Sequence, residues 1–397
     1  MTNVVNALAI EEFLVKTYRE LHSYPELSHQ EKATSARIAK WLGDIGLEVQ
    51  QGVGGYGVVG LLRGSQIGAR TFALRADMDA LPLDEASGVS FASRNPGRMH
   101  ACGHDAHMAM ALGAAKLLKA QESSLNHNVK FVFQPAEEYT PPHSGAKAMI
   151  EAGVLSDPQV SSMFSLHVWP GLPTGQIALK KGVFAVAIDV FDFELLGAGG
   201  HGALPHETSD VIVGSAQAVM SCQTIVSRRL PPMLPAVLTI GSIQGGSKAN
   251  IIPSKVTCKG SCRYVDPAQG VQIREELDTI LKGVSQAYHI DYQLHYETGY
   301  PPTVNDERLT IHVQNSAAKI LGHENVLTLE HPMMFSEDFS YFTQKVPSCM
   351  FLVGAGVNGS LSYGLHSAHF RIDERALPVG ASVLAQAILD LDAAIEK

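Results

Sequence analysis

Apolar residues in the first third of the chain follow two rhythms. Spacings of three and four residues over 11–21 and over 31–42, where Gly43 closes the run, predict amphipathic helices. The Ala-, Leu- and Met-rich stretch 107–119 predicts a third helix. Between them lie short, mostly apolar runs: 71–75 leading to Asp77, 129–133 stopped by Pro135, and 163–167 ending at His167. Runs of this length, bounded by polar residues or proline, are buried strands. Strands separated by helices imply an α/β fold with a mainly parallel sheet.

The middle of the chain has a different order. It reads as a strand (186–195), a helix (208–229), a strand (236–243) with the turn Gly245-Gly246, a strand (254–264), a helix (267–287) and a strand (290–296). That β-α-β-β-α-β order is the split βαβ, ferredoxin-like unit, which closes on itself. A smaller α+β domain is therefore expected at 184–300. It is inserted into a discontinuous outer domain of 1–183 plus 301–397. In the outer domain the alternation resumes with a helix (306–321), a strand (349–353) and a helix (376–395). No internal repeat or low-complexity tract is present.

Composition narrows the classes. A chain of 397 residues exceeds one ordinary core, so two domains are the default. The formal charge of -9, with no run of five like charges, disfavours nucleic acid and anionic membranes as partners. Residues 1–10 lack a basic segment followed by a long apolar run, so no signal peptide is expected. No stretch of about 18 apolar residues suggests a membrane span. Five scattered cysteines, an odd number, point to a reduced, cytoplasmic setting.

The reactive side chains fall in four segments, each after an expected strand or at a helix start, where open α/β sheets bind ligands. Met99–His107 offers His100, Cys102, His104 and His107, the thiol and imidazole donors that borderline-soft divalent ions take. Gly103 lets Cys102 and His104 face one point. Phe131–Glu138 ends in adjacent carboxylates, Glu137 and Glu138. Neighbouring side chains point apart, so one can bind metal while the other acts as a base. His167 ends a strand, where a histidine is more often a satisfied core residue. His366 and His369 follow the Gly-rich stretch 357–364. Taken together, one Cys, several His and a Glu pair suit a two-metal hydrolase. A thiol enzyme with Cys102 as nucleophile, or a non-catalytic binding protein on the same fold, are the competing classes.

At this point the chain resembles the M20 metallopeptidases, in the amidohydrolase subfamily of N-acyl-amino-acid amidohydrolases, hippurate hydrolases and auxin-conjugate hydrolases. The motifs that carry the resemblance run in order along nearly the whole chain. They are His22-Ser-Tyr-Pro-Glu26, Arg75-Ala-Asp-Met-Asp-Ala-Leu-Pro82, Met99 to His107, Gln134-Pro-Ala-Glu-Glu138, Gly199-Gly-His201 with Pro205-His206, Asn250-Ile-Ile-Pro253, Ser336-Glu-Asp-Phe339 and Leu365-His366.

The resemblance implies a metal-dependent amidohydrolase cleaving N-acylated amino acids, with a dipeptidase or carboxypeptidase as the alternative. It implies two divalent ions per subunit, zinc or manganese first, with cobalt or nickel also compatible. Cys102 would bridge them, His104 and His167 would hold one, and Glu138 and His366 the other. Glu137 would be the general base and Asp77 would support the ligands from behind. The inserted domain would be a lid and a homodimer interface. His201 would help hold the reacting carbonyl oxygen, across a dimer, and Asn250 and Arg263 would bind the substrate carboxylate. The chain has Arg75-Ala-Asp77 where the wider family often has His-x-Asp, and Cys102 where it has a bridging Asp. Both differences are shared with the amidohydrolase subfamily. Ala198 stands where relatives often have Lys, and Met334-Phe335 precede Ser336 where a small residue is usual, so Phe335 is expected to narrow the pocket.

Overall fold

A computed structural model describes residues 5–66, 69–139, 143–357 and 363–391. The chain divides into two compact units. One comprises Met1–Phe184, Val304–His331 and Asp338–Lys397, the other Ala185–Thr303 and Pro332–Glu337. The segment 332–337, which its place in the chain assigned to the outer domain, groups with the inserted unit. Its backbone explains why: the Val186 N–H donates to the carbonyls of Met333 and Phe335.

The outer unit begins with helices α1 (Glu11–Ser23) and α2 (Lys32–Ile45) and strands β1 (Glu48–Val53), β2 (Gly57–Leu62) and β3 (Thr71–Asp77). Helix α3 (His104–Lys119), β4 (Asn128–Gln134), α4 (Gly145–Glu151), β5 (Val160–Pro173) and β6 (Ile177–Leu179) follow. After β7 (Gly182–Ala185) the inserted unit supplies β8 (Ala187–Leu196), β9 (Gly200–His201), α5 (Val211–Thr224), β10 (Ala236–Gly245), β11 (Ile251–Ile252), β12 (Lys255–Tyr264), α6 (Pro267–Tyr288) and β13 (Asp291–Thr298). The chain returns through β14 (Thr303–Asn305), α7 (Glu307–Leu321), β15 (Val326–Thr328), α8 (Ser340–Thr343), β16 (Ser348–Gly356) and α9 (Ala376–Leu389).

The eight-stranded sheet of the outer unit runs β1-β2-β4-β3-β5-β16-β6-β15. Its centre, β4-β3-β5-β16, is parallel, and β1 and β2 extend it antiparallel. Every residue of β3 and β4 is buried. Helices therefore cover both faces of these strands, which is why buried positions follow one another along them instead of alternating with exposed ones. Helix α3 packs against this core and buries 13 residues, among them Met108, Met110, Leu112 and Leu118.

The inserted unit has its own core, built on Phe191, Phe193, Leu195, Ile273, Leu277 and Leu281. Its sheet runs β10-β12-β8-β13 and every neighbouring pair is antiparallel. Strands β8 and β12 alternate, strictly or nearly so, between buried and more open positions, and β13 between half-buried and exposed ones. That is the period of a sheet covered on one face only, here by α5 and α6. Among the described residues no helix is long and apolar enough to cross a membrane. All five cysteines are buried and unpaired.

Candidate metal centre

The side chains gather at the carboxyl ends of β3 and β4, beside His167 in the middle of β5, which runs on to Pro173 instead of ending at His167, and are joined by the start of α3 and the loop before α9. Gly103 makes the first part of this possible. It caps α3 with φ +87, and a Cβ there would lie 2.3 Å from Val168 Cγ2. The helix consequently begins at His104, three residues before the expected start. This places Cys102 just ahead of the helix and His104 in its first turn.

Among the described residues, five groups of ligand-type atoms form, each within 4.8 Å, and Cys102 belongs to two of them. One is Cys102, His104 and His167; the other is Cys102, Glu138 and His366. Cys102 Sγ is 3.4 Å from His167 Nε2. His366 Nε2 is 3.3 Å from Glu138 Oε1, and His104 Nε2 is 3.8 Å from the same oxygen. Glu137, 6% exposed, lies beside them with Oε2 at 3.9 Å from His104 Nε2.

The hydrogen bonds on the far side of each ring aim it. His104 Nδ1–H donates to the Asp79 carbonyl at 2.8 Å and His167 Nδ1–H to the Val168 carbonyl at 2.8 Å. Both histidines therefore turn Nε2 inward, the nitrogen at which a metal ion takes the place of a proton. His366 stands at φ +63, its N–H held by the Ala101 carbonyl at 2.9 Å. The buried atoms His104 Nε2 and Glu138 Oε1 have no hydrogen-bond partner. Buried polar atoms without partners are costly, and here both converge with a thiol and two further imidazoles. The chemistry of this donor set, thiol, imidazole and carboxylate, suits borderline-soft divalent ions.

His107, a candidate from its spacing, is not a ligand. Its Nδ1–H donates to Asp77 Oδ1 at 2.7 Å, and its Nε2 accepts the Val168 N–H at 2.9 Å, so both nitrogens are committed. His100 is buried and joins neither ligand group. His369 donates to the Ala86 carbonyl. Of the Gly-rich stretch 357–364, residues 358–362 lie outside the described residues.

The electrostatics of the bare side chains agree with this reading. Burial disfavours a charged His104, but Asp77, Asp79 and Glu138 outweigh it and carry the ring up to about 10. Burial, helped by Glu138, Glu137 and Asp77, pushes the Cys102 thiol well above its ordinary value. A nucleophilic cysteine needs the opposite shift, so these surroundings disfavour Cys102 as a thiolate nucleophile. Burial and the neighbouring His107 hold His167 well below the usual imidazole range. Burial favours the neutral form of Asp77, yet His104, His107 and Arg75 overcome this and hold its carboxyl well below the usual range.

In the inserted unit, His201 and Asn250 sit on the small β9–β11 ribbon, where the Gly202 N–H donates to the Asn250 carbonyl at 2.9 Å. The Ala203 N–H donates to His201 Nδ1, which leaves the proton of the neutral ring on Nε2, facing outward from an exposed side chain. Arg263, on β12, is half-buried and donates from Nη1 to the Met334 carbonyl and the Ser336 hydroxyl. Three residues with visible roles in the outer unit were not singled out from the sequence: Glu31, Asp79 and Asp338. Asp79 and Asp338 lie inside recognised motifs. Glu31 had no signal beyond its position at a helix start.

Residues 73–390 match the family model described as peptidase family M20/M25/M40. Thermostable carboxypeptidase 2 of Saccharolobus solfataricus is 39% identical to the chain, covering 96% of it and 95% of the relative. N-acetyl-L-cysteine deacetylase of Bacillus subtilis is 37% identical, covering 95% and 87%. The crystal structure of the Bacillus subtilis YXEP protein, named as a dinuclear metal-binding peptidase of the M20 family, superposes with a TM-score of 0.81. It is 30% identical and covers 96% of this chain and 98% of that one.

Proposed function

Since the chain belongs to peptidase family M20/M25/M40 and is a metal-dependent hydrolase of amide bonds, we propose that it cuts N-acylated amino acids into a carboxylic acid and a free amino acid. The observation that carries this reading is the pair of ligand groups sharing Cys102, with the Glu137 carboxylate beside them. His104 and His167 would hold one divalent ion and Glu138 and His366 the other, with Cys102 available to both. Zinc or manganese suits these donors best, and cobalt or nickel is compatible. When bound, the ions polarise the amide carbonyl and bring the acidity of water close to neutrality.

The chain's own residues supply the remaining steps. Glu137 takes the proton of the attacking water and returns it to the leaving amine. His201 donates from Nε2 to the carbonyl oxygen as negative charge develops there. Asn250 and Arg263 hold the substrate carboxylate; only one terminal nitrogen of Arg263 is tied to Met334 and Ser336, which keeps the guanidinium oriented for an anion. Asp77 acts from behind, fixing His107 and through it the backbone that carries His167.

The inserted unit serves as lid and as homodimer interface. Strand β10 is an edge of its sheet and exposes Val237 and Ile243 at 41% and 54%, an edge that a second copy can extend. The buried, unpaired cysteines support a reducing, cytoplasmic setting. Dipeptides are the second substrate class, favoured by the carboxypeptidase name of one relative.

Glu137→Gln tests the chemistry. The variant is expected to bind the metals as wild type does and to lose roughly 10²–10⁴-fold or more in kcat. Wild-type turnover in that variant would remove Glu137 from the mechanism. A screen of acetyl-, benzoyl- and aminoacyl-amino acids, reading released amine, ranks the substrate classes.

A further inference from the structure

The turn that carries Glu137 and Glu138 is held in place from outside the metal cage. Ala136 stands at φ +51, left-handed backbone that an alanine avoids because its Cβ crowds the following carbonyl. Its N–H donates to Glu31 Oε1 at 2.8 Å, and its carbonyl accepts the Gly145 N–H at 3.1 Å. Position 145 must be glycine, since a Cβ there would lie 1.6 Å from the Pro135 oxygen. Two residues on, the Glu138 N–H donates to Asp79 Oδ2 at 2.9 Å, and the Ser28 hydroxyl donates to that same oxygen at 2.6 Å. The loop ahead of α2 therefore grips the carboxylate turn at both ends, directly through Glu31 and through Asp79 by way of Ser28.

Glu31 is an unusual residue for this place. It is 0% exposed, and its second oxygen, Oε2, has no hydrogen-bond partner. It is the N-cap residue of α2 but its side chain does not cap that helix. A carboxylate is an expensive group to bury for packing alone. Its one hydrogen bond to a distant segment goes to the strained residue just before the two functional glutamates.

We propose that Glu31 is a positioning residue, whose carboxylate imposes the left-handed turn at Ala136 and so directs Glu138 toward its ion and Glu137 toward the reacting water. Without that acceptor, Ala136 relaxes to negative φ and the following side chains swing away. The inference rests on the reading of Glu138 as ligand and Glu137 as base.

The test uses Glu31→Met, which keeps the volume but removes the acceptor, Glu31→Gln, which keeps an acceptor oxygen, and Ala136→Gly, which removes the left-handed penalty. Metal-free protein is titrated with zinc in a calorimeter, and kcat and KM are measured at saturating metal. Glu31→Met should weaken one of the two binding events by roughly 10–100-fold, the scale seen when a group behind a ligand is lost. It should also lower kcat at least about tenfold while KM stays within about twofold. Glu31→Gln should resemble wild type, and Glu31→Met with Ala136→Gly should recover most of both losses. Unchanged affinities and kcat in Glu31→Met, or no recovery on adding Ala136→Gly, would overturn the proposal. If Glu31→Met does not fold, as judged by circular dichroism, Glu31→Asp takes its place with the same expected and overturning results, since its shorter side chain falls short of the Ala136 N–H. Wild type that binds two ions but cuts no acylated amino acid would defeat the substrate reading and leave the zinc titration to decide on Glu31.

Discussion

Arg75 is among the largest fully buried side chains of the described residues. Its guanidinium donates from Nη1 to Asp77 at 2.7 Å, from Nη2 to Asp338 at 2.9 Å and from Nε to Gln134 at 2.8 Å. Asp338 also accepts from the Ser144 hydroxyl, the Ala146 N–H and Gln134 Nε2. Arg75 therefore ties the ends of β3 and β4 to Asp338 through three acceptors. Arg75→Met would leave buried carboxylates without their counter-charge, and urea unfolding should show a loss of about 3–5 kcal/mol. Arg75→Lys should restore only part of it, because an ammonium lacks the planar fork that serves three acceptors. A loss below about 1 kcal/mol in Arg75→Met would show that the network is relaxed elsewhere. At this scale the sequence was uneven. The Cys102–His104 cluster was legible because its members are neighbours and Gly103 marks the turn. His167 and His366 became candidates only when grouped with it, since tertiary folding, not spacing, unites them. Glu31 was hidden because an acid at a helix start is ordinarily read as a cap.

At the scale of elements, α1 is locked to the first turn of α3 through one buried histidine. His22 Nδ1 is 2.6 Å from Asp105 Oδ2 and its Nε2 is 2.9 Å from Glu85 Oε1. Burial opposes its charge, but the two carboxylates prevail and raise it from 6.5 to about 10. Burial alone would raise Glu85, yet His22 and two further hydrogen bonds bring it from 4.5 down to about 2. The signs follow by linkage. The His22 contribution is complete below pH 6.5 and is lost as pH rises from there through 10. The Glu85 contribution is complete above pH 4.5 and is lost as pH falls from there through 2. The difference in unfolding free energy between wild type and His22→Phe should thus be greatest between those limits and shrink on both sides. A flat difference from pH 4 to 9 would contradict the charged pairing. Helices and central strands were legible from their periods. The β1–β2 hairpin was not, because β1 is exposed along nearly all its length and β2 carries glycine at Gly57 and Gly60. Helix α5 begins at Val211, three residues after its expected start, because the Asp210 side chain caps the N–H groups of Ile212 and Val213.

At the scale of the whole molecule, two separate hydrophobic cores lie in one chain. The order β-α-β-β-α-β was enough to find the inserted unit, since each unit follows one periodicity. Short strands such as β6 and β15, each of three residues, and the detour of 332–337 left no such trace. Cys102, His104, Glu138, His167 and His366 all belong to the outer unit. Metal binding therefore stabilises that unit by mass action and leaves the other without direct gain. Differential scanning calorimetry with and without a chelator should show the outer unit's transition shifted downward and the inserted unit's transition unmoved. Equal shifts of both would mean that the units unfold as one.

The account as a whole depends on five side chains from four parts of the sequence forming one cage for two cations. The most direct measurement is an anomalous difference map from crystals of zinc-loaded protein, recorded on either side of the zinc absorption edge. Two peaks are expected, with Cys102 Sγ bound to both, His104 and His167 on one, and Glu138 and His366 on the other. A single peak, or two peaks that do not share Cys102, would contradict it.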